Sequence, residues 1–78
     1  MRSITVTAHW DDESSTWWTD GEDVPGLCCQ GQTVEELAGA VFALAPDLLV
    51  TNGAAHKGER VEIVLTAEQR KTVEAAAA

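Results

Sequence analysis

The chain has 78 residues, 45% of them hydrophobic, with thirteen Asp and Glu against five Lys and Arg and a formal net charge of −8. That length allows one small domain, which hides only about 60% of the surface its unfolded form exposes, and the apolar fraction is too high for a disordered chain. No Lys or Arg lies between Ser3 and His56, so the acidic field disfavours direct nucleic-acid binding, which depends on basic groups against phosphates, and suits a basic protein partner. The plainer alternative is that these acids keep a small domain in solution.

Ile4, Val6, Ala8 and Trp10 alternate with Ser3, Thr5, Thr7 and His9, the period of a half-buried first strand. Asp11 to Ser15 is a polar turn, and Thr16-Trp17-Trp18-Thr19 is a β-rich second strand that pairs with the first as a hairpin. Asp20-Gly21-Glu22-Asp23 makes the next turn. Leu27 to Gln30 is expected as a short third strand, with Pro25 placing it at a sheet edge.

Thr33 and Glu36 have the spacing of a helix capping box. From there Val34, Leu37, Val41, Leu44 and Leu48, with Ala38 and Ala45 beside them, form a helical apolar stripe. Pro46 should kink or restart that helix, and Asn52-Gly53 should stop it. After a loop over Ala54 to Gly58, Val61, Ile63 and Leu65 alternate with Glu62, Val64 and Thr66 as a fourth strand. A right-handed crossover that sets this strand parallel to the first gives sheet order 3-2-1-4. The expected architecture is therefore α+β, β-β-β-α-β, with one helix on one face. Residues 1–66 form the domain, and 67–78 form a frayed or disordered tail.

Adjacent residues of a strand point to opposite faces, and one helix covers one face only, so one of Trp17 and Trp18 is left over for an interface or for cover by the turn residues or the tail. Phe42 and Leu49 on the helix flank are expected to extend that contact, with Asp20, Glu22 and Asp23 orienting a partner. Self-association, most simply as a dimer, would supply burial that the monomer lacks.

No catalytic constellation is legible. Asp11, Asp12, Asp20 and Asp23 could hold a divalent ion in a small metal-dependent enzyme, but the six acids from Asp11 to Asp23 lack an EF-hand spacing and are the usual composition of solvated turns. His9, His56, Cys28 and Cys29 lack zinc-site spacing, Ser14 and Ser15 lack a nucleophile elbow, and Gly26, Gly31 and Gly39 match no phosphate loop. Neither a metal nor a cofactor is expected. Cys28 and Cys29 are expected as free thiols. The alternating N-terminus lacks a secretory h-region and no run is long enough to span a membrane, so the expected compartment is the cytoplasm.

The order of Trp10-Asp11-Asp12-Glu13, Trp17-Trp18, Asp23-Val24-Pro25-Gly26-Leu27 and Thr33-Val34-Glu35-Glu36 resembles the HicB-like antitoxin superfamily, especially its short single-domain members of unknown function. The resemblance spans roughly Ile4 to Leu65. It implies a partial ribonuclease H fold without that enzyme's carboxylates, structural roles for Asp23 to Leu27 and for Thr33, Glu35 and Glu36, and a partner of the HicA type, a small basic toxin that cleaves messenger RNA. The C-terminal DNA-binding segment usual in full-length HicB proteins is not expected here, since about a dozen residues after the fourth strand are too few for it. A purely structural subunit of a larger assembly is a further reading.

Overall fold

The computed structural model describes residues 2–70 and 72–76. Its elements in chain order are β1 (Arg2–Asp11), β2 (Thr16–Trp18), β3 (Gln30–Gly31), α1 (Val34–Thr51) and β4 (Val61–Glu68). The strands form one mixed sheet in the order β3-β2-β1-β4, with β1 antiparallel to β2 and parallel to β4. The expected fold class and strand order are therefore correct.

The alternation of β1 decides its two faces. Val6 and Ala8 are buried beneath α1, Ile4 packs at their margin, and Val61, Ile63 and Leu65 of β4 join them from the neighbouring strand. Ser3, Thr5, Thr7 and His9 alternate with them and take the reverse face. From the helix, Leu37, Val41, Ala45 and Leu49 enter the core. They form an i, i+4 row, which drifts around a helix by about 40° per step, so the buried stripe runs obliquely along α1. That drift corrects two helix assignments. Leu49, expected on the exposed flank, is 5% exposed and belongs to the core, whereas Leu44, expected in the stripe, is 49% exposed.

Two breaks expected from proline also resolve differently. The helix runs through Pro46 without restarting. The N–H that Pro46 lacks would have bonded the carbonyl of Phe42, and both residues lie on the exposed side, where water can take that carbonyl. Pro25 does not open an edge strand; it sits inside a turn that the Leu27 N–H closes by donating to the Val24 carbonyl at 2.9 Å. With Pro25 and Gly26 at its centre and Gly26 at φ +87°, this is the arrangement of a type II turn. The turn projects Val24 and Leu27, each 1% exposed, into the core. The third strand shrinks accordingly to Gln30–Gly31.

The loop that carries this turn also completes the sheet. β2 ends at Trp18, and past that point the Thr7 N–H of β1 donates to the Asp23 carboxylate at 3.0 Å. Buried Thr19 fastens the loop's ends: its hydroxyl donates to the Leu27 carbonyl at 2.7 Å and accepts from the Cys29 N–H at 2.9 Å. The Asn52 side chain donates to the Pro25 carbonyl at 2.9 Å, tying the turn to the helix C-terminus.

Both ends of α1 are capped by local sequence. Thr33 Oγ1 accepts from the Glu36 N–H at 3.0 Å, the first half of the capping box. At the other end the Gly53 N–H donates to Val50 and the Ala54 N–H to Leu49, with Gly53 at φ +72°, which makes a Schellman stop. β4 continues to Glu68, two residues beyond its expected end, because Ala67 and Glu68 still pair with Ala8 and His9. Of the expected tail, Thr72 to Ala76 is exposed and non-regular, and Lys71, Ala77 and Ala78 lie outside the described residues. Among the described residues no helix is long and apolar enough to cross a membrane.

Candidate functional site

Trp17 and Trp18 divide between the faces as strand geometry demands. Trp17 packs against the core and against Trp10, its cross-strand partner, at a ring separation of 5.2 Å. Trp18 takes the reverse face, half-buried, with its ring 4.8 Å from that of His9 on β1. The leftover aromatic is therefore Trp18, and among the described residues no helix covers it.

Trp18 lines an open groove of about 480 Å³ with Asp11, Thr16, Thr19, Cys28, Cys29 and Gln30. The groove lies over β2 and β3, at one edge of the sheet. Asp11 supplies its carboxylate from the end of β1, held by the Glu13 N–H at 3.1 Å and the Ser14 hydroxyl at 2.8 Å. Asp20 Oδ2 is 3.4 Å from Nε2 of His9, the ring neighbour of Trp18. Cys28 is an exposed thiol and Cys29 a buried one, and both are free, as expected, although they lie in the loop before β3 and not in a strand. An aromatic face beside fixed carboxylates, open to water, is suited to receiving a guanidinium or ammonium group.

The remaining expected residues fall in separate places. Glu22 is exposed in the loop after β2, where its N–H donates to Asp20. Asp23 holds β1 through Thr7, and Val24, Pro25, Gly26 and Leu27 form the core-plugging turn. Phe42 is 49% exposed on α1, on the helix side of the sheet and away from Trp18, while Leu49 is a core residue, 5% exposed, that reaches only the groove beside Val50 and Val61.

The carboxylates weighed as metal ligands are committed to other bonds: Asp11 and Asp20 as above, Asp23 to Thr7, and Asp12 to the indole N–H of Trp10 at 3.1 Å. Among the described residues no three His, Cys, Asp or Glu side chains form a group that could hold a metal ion. Thr16, Thr19 and Gln30 line the groove without having been expected in a site, and His9, considered from sequence only as a metal ligand, instead meets the Trp18 ring. His9 was detectable as the residue opposite Trp18 once the hairpin register is set, but Thr19 depends on a loop closure that no local signal specifies.

The sheet, the single helix and the uncovered reverse groove define a small α+β domain of one sheet and one helix. The chain belongs to the family described as a domain of unknown function (DUF1902), whose model matches residues 3–76. It is similar to a solved structure, hypothetical protein TTHA1013 from the extremely thermophilic bacterium Thermus thermophilus, with a TM-score of 0.76 and 36% sequence identity over 92% of this chain and 100% of that one. No curated protein matches it.

Proposed function

We propose that this chain is a non-catalytic, HicB-like protein-binding module that uses the Trp18 groove to hold basic side chains of a small protein partner. The observation that carries this reading is the half-buried Trp18 ring on the open face, packed at a tilt against His9, with Asp11 lining the same groove and Asp20 3.4 Å from His9. An Arg or Lys entering there gains a cation–π contact and a carboxylate together, worth about 0.5–2 kcal/mol for the aromatic part alone. The acids of the Asp11–Glu13 and Asp20–Asp23 loops add a field that speeds encounter and orients the partner. A HicA-like, RNA-cleaving toxin is the kind of small basic protein that fits, and masking its basic surface would silence it.

The test is co-expression with a short basic protein of the HicA type, taken from the neighbouring reading frames of the host, followed by co-purification at graded salt. A complex that weakens as salt rises, and that Trp18→Ala and Asp20→Lys each disrupt without unfolding the domain, is the expected result. A complex indifferent to both substitutions, or no complex at all, overturns the reading.

A further inference from the structure

The sheet ends on the side away from the Trp18 groove with β4, which pairs among the described residues with β1 alone. The β1–β4 register is unbroken over eight residue pairs, from Arg2↔Val61 to His9↔Glu68, so β4 carries no bulge. Nor does Val61–Glu68 contain a Pro or a Lys, or turn a charge toward the helix side, where Val61, Ile63, Leu65 and Ala67 lie. Exposed strand edges are ordinarily blunted by one of these devices, because their free N–H and C=O groups pair with any strand that approaches. Beside this edge Val50, Val61 and Ile63 line a second open groove together with the charged Asp47, Lys57 and Glu59, and Val50 is 44% exposed.

We propose that two copies of this chain pair β4 against β4 in antiparallel fashion, with the two-fold axis at Val64, to make one continuous eight-stranded sheet with both helices on the same side.

The register follows from the sequence of the strand itself. Centring on Val64 sets Ile63 opposite Leu65 of the second copy and Val61 opposite Ala67, all on the helix side. On the reverse side it sets Val64 against itself, Glu62 opposite Thr66, and Arg60 opposite Glu68, once on each side of the axis. Arg60 makes no ion pair within the chain among the described residues, and Glu68 pairs only with Arg70, which is 88% exposed. Centring on Leu65 instead opposes Glu62 to Glu68 and Arg60 to Arg70, and centring on Ile63 leaves Arg60 opposite Thr66 with no ion pair. A slip by one residue would set the apolar face of one strand against the Thr and Glu face of the other. Opposite charges across an antiparallel pair stabilise it and like charges oppose it, so the Val64 register is selected.

The dimer adds a second surface to the binding-module reading and does not depend on it. Its edge lies at the opposite end of the sheet from Trp18, so either can fail alone. The experiment is analytical ultracentrifugation of the full chain and of Val64→Lys, Arg60→Glu, Glu68→Lys and the double Arg60→Glu/Glu68→Lys, with circular dichroism to verify folding. The expected result is a concentration-dependent dimer that Val64→Lys abolishes, that each single charge reversal weakens roughly tenfold, and that the double reversal restores. Arg70→Ala, which removes only the exposed partner of Glu68, should leave it unchanged, and Trp18→Ala should do the same. A wild-type monomer at every concentration, a dimer that survives Val64→Lys, or a double reversal that fails to recover overturns the proposal; a folded monomer that still captures its basic partner through Trp18 would sink the dimer alone.

Discussion

A Cβ placed on Gly31 would stand 2.6 Å from the amide nitrogen of Leu37 and 3.0 Å from its Cα. The short β3 thus lies directly against the first turn of α1, closer than any side chain permits, and the connection from sheet to helix depends on that approach. Because the atoms that a methyl group would meet are helix backbone, relief requires moving α1 or β3. Gly31→Ala should therefore destabilise the domain by about 1–3 kcal/mol, the usual cost of overpacking, seen as a lower urea midpoint with little change in slope.

Gly39 gives the opposite sign. It sits in the interior of α1, and a Cβ added there would meet nothing within 4 Å. Gly39→Ala should stabilise by about 0.5–1 kcal/mol, since only the helix propensity and the entropy of the unfolded chain change. A melting point that fell would show that this face of α1 is in contact with something the monomer lacks.

The contrast between these glycines shows where the sequence was legible. Alternation in β1 and β4 placed Val6, Ala8, Ile63 and Leu65 correctly, because period-two patterning depends on one sheet face being covered, and the crossover through α1 then dictated the strand order. Thr33 and Asn52-Gly53 marked the helix ends because capping is local chemistry. What failed was long-range. The rotation of the helix that buries Leu49 and frees Leu44 follows from its tilt across the sheet, and the exposed turn at Pro25-Gly26 buries its flanking Val24 and Leu27 because they find a gap beside β1 that β2 is too short to fill. The division of Trp17 from Trp18 was legible, but which of the two faced the core depended on the register with β1.

That helix rotation is itself testable. Leu49→Ala removes a side chain that is 5% exposed and should cost about 2–5 kcal/mol, whereas Leu44→Ala at 49% exposure should cost under about 1 kcal/mol. Equal losses, measured by chemical denaturation, would mean that α1 is seated with the other face inward.

The two tryptophans separate stability from binding. Trp17 packs on the core and on Trp10, so Trp17→Ala should lower stability by about 2–4 kcal/mol. Trp18 rests on His9 on the open face, and Trp18→Ala should cost about 1 kcal/mol or less, comparable to one aromatic pair, while removing the basic-partner complex. Quenching by acrylamide, which carries no charge for the acids to repel, should likewise reach Trp18 before Trp17 in the folded protein.

Acid should loosen the loop before β4 through a single carboxylate. Glu59 accepts the His56 N–H at 3.0 Å and lies 3.3 Å from Arg2, whose guanidinium also donates to the Ala54 carbonyl just past the helix stop. The backbone hydrogen bond from His56 is the main cause that holds the Glu59 carboxyl below its ordinary value; desolvation opposes it, and the Arg2 and His56 charges lower it further. A carboxyl whose folded pKa is depressed binds its proton more tightly in the unfolded chain. Its contribution is therefore fully present above the ordinary glutamate range and is lost as pH falls through that range to the lower folded value. Glu59→Gln should be less stable than the wild type at neutral pH, with the difference shrinking steadily as pH drops through that window. Denaturation curves for both proteins across acidic pH would show it, and a difference that stayed constant or widened toward low pH would mean that Glu59 is not held by His56 and Arg2 in the folded chain.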